Sequence, residues 1–268
     1  MTRYLAPALC AALLLSACSH KPEAPAERSA APTQWRHAQA GETVTDTWWR
    51  GFASTELDTL IERALVDNQD LAAAAARLRQ AEASARAAGA PLLPRLDGNL
   101  GANRDGRLGG NPDTAGNRYS GGLAASYEVD LWGRLAADRD AAQAELAASR
   151  FDRDALRLTL TATLVETWLR QVALAERLRL ADLNLANAER VLATVQARQA
   201  AGAATPLELA QQRGLVAEQR RTREELRQQA DDIRSNLAVL LGQGTPADTT
   251  GAALATLAAP SLSAGLPS

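Results

Sequence analysis

The stretch "SYEVDLWGR", Ser126 to Arg134, sets two carboxylates two residues apart, Glu128 and Asp130, beside Tyr127 and Trp132. On a strand, residues two apart point to the same side and lie about 6.6 Å from one another. That spacing is compatible with an acid/base pair of the glycoside-hydrolysing kind. The stretch also closes on Gly133-Arg134, so it fits equally a joint where one kind of structure hands over to another.

Little else in the chain could join such chemistry. Histidine occurs only at His20 and His37, cysteine only at Cys10 and Cys18, and Lys21 is the one lysine in 268 residues. Past residue 37, Ser-His and Cys-His catalysis, a Schiff-base lysine and the usual zinc sites therefore have no players. No catalytic group, metal ligand or cofactor site is expected. A formal net charge of −2 gives a nucleic-acid role no support. Aromatics at 4%, with abundant alanine, favour long helices over a compact aromatic core.

The first residues read as an address. Arg3 precedes the apolar run "LAPALCAALLL", which is too short to span a membrane as a mature helix. It ends in "LSAC", Leu15 to Cys18, which resembles the bacterial lipobox, whose cysteine becomes the lipid-modified first residue of the mature chain. The other reading is an ordinary secretory signal with an incidental cysteine. In the lipoprotein reading residues 1–17 are removed, taking Cys10 with them, and acylated Cys18 forms no disulfide within one chain. Each buried methylene of its acyl chains contributes about 0.8 kcal/mol of anchoring. Residues 18–45, rich in Pro, Ala and polar types, read as an extended tether.

Order begins at residue 46. Ser54 and Thr55 are candidate caps for a helix with Glu56 and Asp58 in its first turn. Leu57, Ile61, Ala64, Asn68, Leu71, Ala75 and Leu78 form one stripe, so the helix is expected to run to about Ala88, where Gly89, Pro91 and Pro94 stop it. Two strand-length segments follow, "PRLDGNLGANRD" and "YSGGLAASYEVD", within an expected hairpin over 92–130. Apolar residues alternate with small or polar ones in both. The pattern fits a water-filled membrane barrel, whose strands need about 9–11 residues, and fits an exposed surface hairpin equally well.

From Leu135 to about Gln199 there is no Pro or Gly, which predicts a helix of roughly 95 Å. Leu178, Ala181, Leu185, Ala188, Leu192 and Val195 step at heptad spacing, as do Leu226, Ala230, Ile233, Leu237 and Leu240 on a returning helix from Leu207 to about Leu241. The break between them is "QAAGAATP", Gln199 to Pro206. The charged run "EQRRTREELRQQADD" reads as a solvated face.

Four segments carry a family resemblance: "WWRGFASTELDTLIERALVDNQDLAAAAARLRQA" (Trp48–Ala81), "SYEVDLWGR" (Ser126–Arg134), "RQAAGAATPLELAQ" (Arg198–Gln211) and "LAVLLGQ" (Leu237–Gln243). In this order they resemble the TolC-like outer-membrane channels of tripartite efflux pumps, in particular the lipoprotein branch serving RND-type exporters. The resemblance implies a mainly α fold: long antiparallel coiled-coil helices forming part of an α-barrel, plus a two-strand contribution to a membrane β-barrel. It implies a homotrimer, an extracellular loop at 104–118, and a passive export conduit for drugs, metals or other small molecules. It further implies a periplasmic adaptor protein and an inner-membrane RND-type pump as partners.

The tip residues Ala201, Gly202, Ala203 and Thr205 take the adaptor-contact position. Asp130, Trp132, Gly133 and Arg134 take the strand-to-helix joint, with the acidic side toward the lumen. Ser19 after Cys18 implies the outer membrane of a Gram-negative cell, lipid-anchored and reaching into the periplasm. The resemblance makes residues 46–243 a first repeat, with a helical hairpin over 135–241, and 244–268 a low-complexity inter-repeat tail. Family members carry two repeats, and a second is absent from this sequence, so a truncated product, a fragment or half of a split pair is expected. The alternatives are an adaptor-like periplasmic coiled-coil lipoprotein, a non-functional fragment, or a carboxylate-pair hydrolase.

Overall fold

A computed structural model of the chain describes residues 46–105, 116–246, 249 and 254–258. Apart from Asp46 these lie in one compact unit. The signal, the tether and Cys18 lie outside the described residues. A 3-10 turn, Trp48–Phe52, leads into α1 (Thr55–Asp67). The helix starts where the sequence offers a cap. Ser54 Oγ accepts the N–H of Leu57 at 3.3 Å, and Glu56 and Asp58 face the positive end of the helix dipole.

The single helix expected as far as Ala88 is broken. At Asn68 the backbone turns extended (φ −65°, ψ 127°), and α2 (Gln69–Gly89) starts anew. Asn68 Oδ1 accepts the N–H groups of Asp70 and Leu71, each at 3.0 Å. Its Nδ2 donates to the carbonyl of Leu240, also at 3.0 Å. Asn68 is buried, as a stripe residue should be, but as a cap for one helix and a donor to another. Beyond the break the expected stripe residues Leu71, Ala75 and Leu78 are partly buried, and Ala74 beside them is buried.

After a 3-10 turn at Ala90–Leu92 come β1 (Arg95–Asp105) and β2 (Gly116–Ser126), an antiparallel pair in register from Arg95↔Ser126 to Asp105↔Gly116. The ladder is shorter than the expected hairpin over 92–130, because Pro94 has no N–H to extend it and residues 127–130 take no strand partner. The loop expected at 104–118 overlaps the strands at both of its ends, and residues 106–115 lie outside the described residues.

α3 (Arg134–Ala200) has 67 residues, about 100 Å of helix. α4 (Pro206–Leu240) returns along it. Leu185 and Ala188 of α3 meet Val216 of α4 in a buried seam that Leu192 extends. Across it, Gln212 Nε2 donates to the Ala188 carbonyl at 3.1 Å, and Arg220 pairs with Glu189 at 2.7 Å. The main core lies where α1, α3 and the end of α4 meet, around Leu57, Ile61, Leu164, Trp168, Leu237 and Leu241. Each such aliphatic side chain contributes about 1.5–3 kcal/mol by leaving water. Trp168 is only 1% exposed, and its Nε1 donates to Glu56 Oε2 at 3.3 Å. Part of the segment read as a low-complexity tail docks here: Leu254–Thr256 form a 3-10 turn, and Leu257 packs against this core.

α4 ends in a Schellman closure. Gln243 N–H bonds to the Ala238 carbonyl at 2.8 Å and Gly242 N–H to that of Val239 at 3.0 Å, with Gly242 at φ +66°. A Cβ on Gly242 would lie 2.2 Å from the carbonyl oxygen of Asp67. Gly202, at φ +74°, has open space instead. Gly202→Ala is therefore expected to cost about 1–2 kcal/mol, the left-handed penalty alone. Gly242→Ala adds overpacking and should reach about 2–4 kcal/mol. Thermal unfolding followed by helical circular dichroism ranks the two, and equal losses would remove the close approach of α4 to Asp67 from this account.

Candidate functional site

β2 hands over to α3 through residues 127–133. Gly133, at φ +73°, turns the chain, and no side chain of its own can cap the helix that follows. Asp130 fills that role from three residues upstream: its Oδ2 accepts the N–H of Ala136 at 2.9 Å. This bond first, then the N–H groups of Leu135 and Arg134 and the Arg134 charge, holds the Asp130 carboxyl below the usual aspartate range despite some desolvation. Arg134 spans the joint. It bonds Glu128 Oε1 at 3.0 Å behind it and Asp138 Oδ2 at 3.5 Å ahead, and the Glu128 bond raises its pKa.

The two carboxylates thus take different partners, Glu128 the Arg134 guanidinium and Asp130 a backbone amide of the first helical turn. A cleft of about 760 Å³ opens at the base of the hairpin between Ala87, Pro91, Leu93, Tyr127 and Glu128, and Asp130 does not line it. A hydrolytic pair needs a shared cleft and an acid whose pKa is raised. Asp130 has neither, so the geometry here serves a joint. Trp132 and Leu131 stand exposed on the turn, with Val129, Tyr127 and Leu93 exposed nearby.

At the far end of α3, Ala201, Gly202 and Ala203 form the turn and are all exposed. Ala203 N–H bonds to the Arg198 carbonyl at 2.8 Å, and Gly202 N–H to that of Gln199 at 3.0 Å. Arg198 Nη2 also donates to the Ala203 carbonyl at 3.1 Å. α4 then starts with Pro206 in its first turn and a capping box: Thr205 N–H donates to Glu208 Oε2 at 2.7 Å, and Glu208 N–H to Thr205 Oγ1 at 3.2 Å. Residues 199–205 carry no charge. The product is a neutral, small-residue tip closed by its own caps. Reading the sequence missed Asn68 and Gly242; an Asn followed by an acid two residues on, and a Gly directly after a heptad run, are the signals that could have found them.

Because the Asp130 pKa is lowered on folding, its stabilisation is complete above about pH 4, the ordinary aspartate value, and is lost as pH falls through the lowered one. Asp130→Asn keeps an acceptor for Ala136 but not the negative charge that the amides and Arg134 favour, so it should be less stable than the parent at neutral pH and lose that acid dependence. Asp130→Ala should be less stable at neutral pH. Melting temperatures of the three proteins between pH 2.5 and 7 check this, and superimposable acid profiles for parent and Asp130→Asn would contradict it.

Residues 60–243 match the family described as outer membrane efflux protein. The pyoverdine export outer membrane protein OpmQ of Pseudomonas aeruginosa is 46% identical over 272 residues, which cover 96% of this chain and 57% of that one. Among solved structures, the MtrE outer membrane channel of Neisseria gonorrhoeae in its open state superposes with a TM-score of 0.69 at 27% identity, over 87% of this chain and 53% of its own. A CusC crystal structure gives a TM-score of 0.71 at 26% identity, over 92% and 55%. The chain spans about half the length of the curated relatives it matches. Its mainly helical fold with one antiparallel strand pair is shared with these channels, and the chain belongs to the outer membrane efflux protein family.

Proposed function

We propose that this chain is a subunit of an outer-membrane export conduit, the passive exit of a tripartite pump driven from the inner membrane. One observation carries the reading: a strand pair exposed on both faces runs directly, through Gly133, into a helix of about 100 Å that a second helix retraces. Exposed strands with free edges require further strands to close them, and closure into a barrel removes the edges altogether. The helical hairpin requires lateral neighbours for Phe151, Leu158, Leu183 and Val191, which stand exposed along α3. A trimer, with strands in the membrane barrel and helices in a periplasmic barrel, meets both needs.

In this reading Cys18 carries the lipid anchor, and the chain sits in the Gram-negative outer membrane and extends into the periplasm. Ala201, Gly202, Ala203 and Thr205 receive the periplasmic adaptor, since a neutral tip of small residues lets another backbone approach closely. An RND-type pump supplies the energy. Cargo is a small molecule, and a pyoverdine-like siderophore is the first to test, given what the OpmQ relative exports. An adaptor role for this chain gains nothing from the fold, in which α1, α2 and an exposed strand pair precede the helical hairpin.

The full-length chain, purified from membranes and reconstituted in planar bilayers, should form heat-resistant oligomers and conduct in discrete steps. A lack of any conductance would remove the conduit reading for this chain. Ala203→Trp at the tip should weaken binding of the cognate purified adaptor about tenfold or more while conductance persists. Unchanged binding would move the adaptor contact elsewhere.

A further inference from the structure

The cleft at the base of the hairpin has two kinds of wall. Ala87, Ala90, Pro91, Leu93 and Pro94, with the Tyr127 ring, make most of it apolar. Two of these residues are prolines, so that wall has little backbone freedom to lose when something settles on it. Arg95, Ser126 and Glu128 supply the polar groups, and Arg95 and Ser126 face each other as the first rung of the strand ladder. A volume of about 760 Å³ lies within the range of pockets that hold small molecules, which are mostly apolar with a few converging polar groups.

The two charges of the cleft are held from outside it. Arg95 Nε donates to Asp97 Oδ1 at 2.9 Å, with Nη2 at the same distance, and Asp97 does not line the cleft. A guanidinium has five N–H groups, so donors remain for a ligand. Arg134 Nη2 donates to Glu128 Oε1 at 3.0 Å, likewise from outside, and Oε2 has no hydrogen bond among the described residues. Both ion pairs are exposed and contribute little stability by themselves. Their effect is on order: a side chain already fixed by one partner loses less rotamer freedom on meeting a second.

One cation and one anion in the same cleft also select by charge. A lone anion that reaches Arg95 meets Glu128 as well, and a lone cation meets the reverse. An uncharged apolar molecule leaves both groups without a ligand partner. A zwitterion satisfies both, through hydrogen bonds that charge strengthens.

We propose that this cleft binds small zwitterionic molecules with an apolar or aromatic body. The anionic group sits on Arg95, the cationic group on Glu128 Oε2, and the body lies between Tyr127, Leu93 and the two prolines. For its role this rests on the conduit reading above, in which the cleft is a resting place for cargo where the strands give way to the helices.

Three dansyl compounds test it on the full-length chain in lipid nanodiscs, with protein-free nanodiscs subtracted: Nε-dansyl-L-lysine, a zwitterion; dansylglycine, an anion; and dansylcadaverine, a cation. Dansyl emission should show the zwitterion bound about tenfold more tightly than either of the others. Arg95→Gln should remove its advantage over the cation, and Glu128→Gln its advantage over the anion. A general loosening of the joint would instead weaken all three alike. Energy transfer from tryptophan locates the probe. Trp132 is close in sequence to Glu128, whereas Trp48, Trp49 and Trp168 lie at the main core, the length of α2 or about 31 Å away. Trp132→Phe should therefore remove most of the transfer. Equal affinities for the three compounds, or transfer untouched by Trp132→Phe, would overturn the proposal. So would a lack of saturable binding, because a neighbouring chain would then fill the cleft. Charge-selective binding without conductance would sustain the site and remove the conduit. Conductance without charge-selective binding would do the reverse.

Discussion

α3 is longer than any one partner in the described chain, and the rest of the fold depends on how that partner is assembled from two pieces. α2 and α4, of 21 and 35 residues, both run antiparallel to the 67 residues of α3. The last carbonyls of α4 arrive where the first amides of α2 begin. A helix end exposes unpaired carbonyls and a helix start unpaired N–H groups, so two helices meeting end to end leave both sets facing each other. The carboxamide of Asn68 has the right chemistry for both. It donates to the Leu240 carbonyl and accepts from Asp70 and Leu71. Gly242 lets the chain close there, because any larger residue would strike Asp67. The main core of Leu57, Leu164, Trp168 and Leu237 surrounds this splice, which is why it lies midway along α3 and not at either end.

Once the splice is fixed, the ends of α3 are free to specialise, and they do so by different means. The tip is made only of local bonds: a Schellman closure on Gly202, then a capping box on Thr205 and Glu208. Ala201, Gly202, Ala203 and Thr205 stand exposed there, and residues 199–205 carry no charge. The upper joint takes its cap from outside the helix, since Gly133 has no side chain to offer, and Asp130 reaches across the turn to Ala136. Arg134 adds a link on each side of the turn. A bend fixed in this way transmits the direction of the strands to the helix, which a flexible linker would not.

Reading the sequence recovered what is periodic or punctuated. The heptad residues Ala181, Leu185 and Ala188 are buried where spacing put them, as are Ala230 and Leu237 on the returning helix. Ser54 caps α1, and Gly202 with Pro206 marks the tip. What escaped depends on partners far away in sequence. Asn68 fits a helical stripe as well as a cap, and only a carbonyl 172 residues on decides between them. Gly242 announces a helix stop locally, but its contact with Asp67 is tertiary. At "SYEVDLWGR" the spacing of the carboxylates was correct and the geometry was assumed: a strand continuing to Asp130 would aim both acids one way. Because pairing ends at Ser126, opposite Arg95 and next to Pro94, the two acids part, one to a guanidinium and one to a backbone amide.

The same accounting explains why so much apolar surface is left on the outside. Each helix presents a limited number of stripes, and the stripe of α3 that meets α4 and α2 already holds its buried residues. Phe151, Leu158, Leu180, Leu183 and Val191 lie on other stripes of α3, and Leu207 and Leu215 do so on α4. A chain that folded for water alone would place charge there, as it does at Arg221, Glu218 and Glu225. Apolar rows sustained along a helix of this length have a use only if helices of other chains, or of a second helical hairpin, lie alongside. The strands make the parallel case, exposed on both faces. Incomplete burial at both levels is therefore part of what the residues specify: the described unit packs tightly at its central splice and leaves apolar rows uncovered along α3 and on the strands.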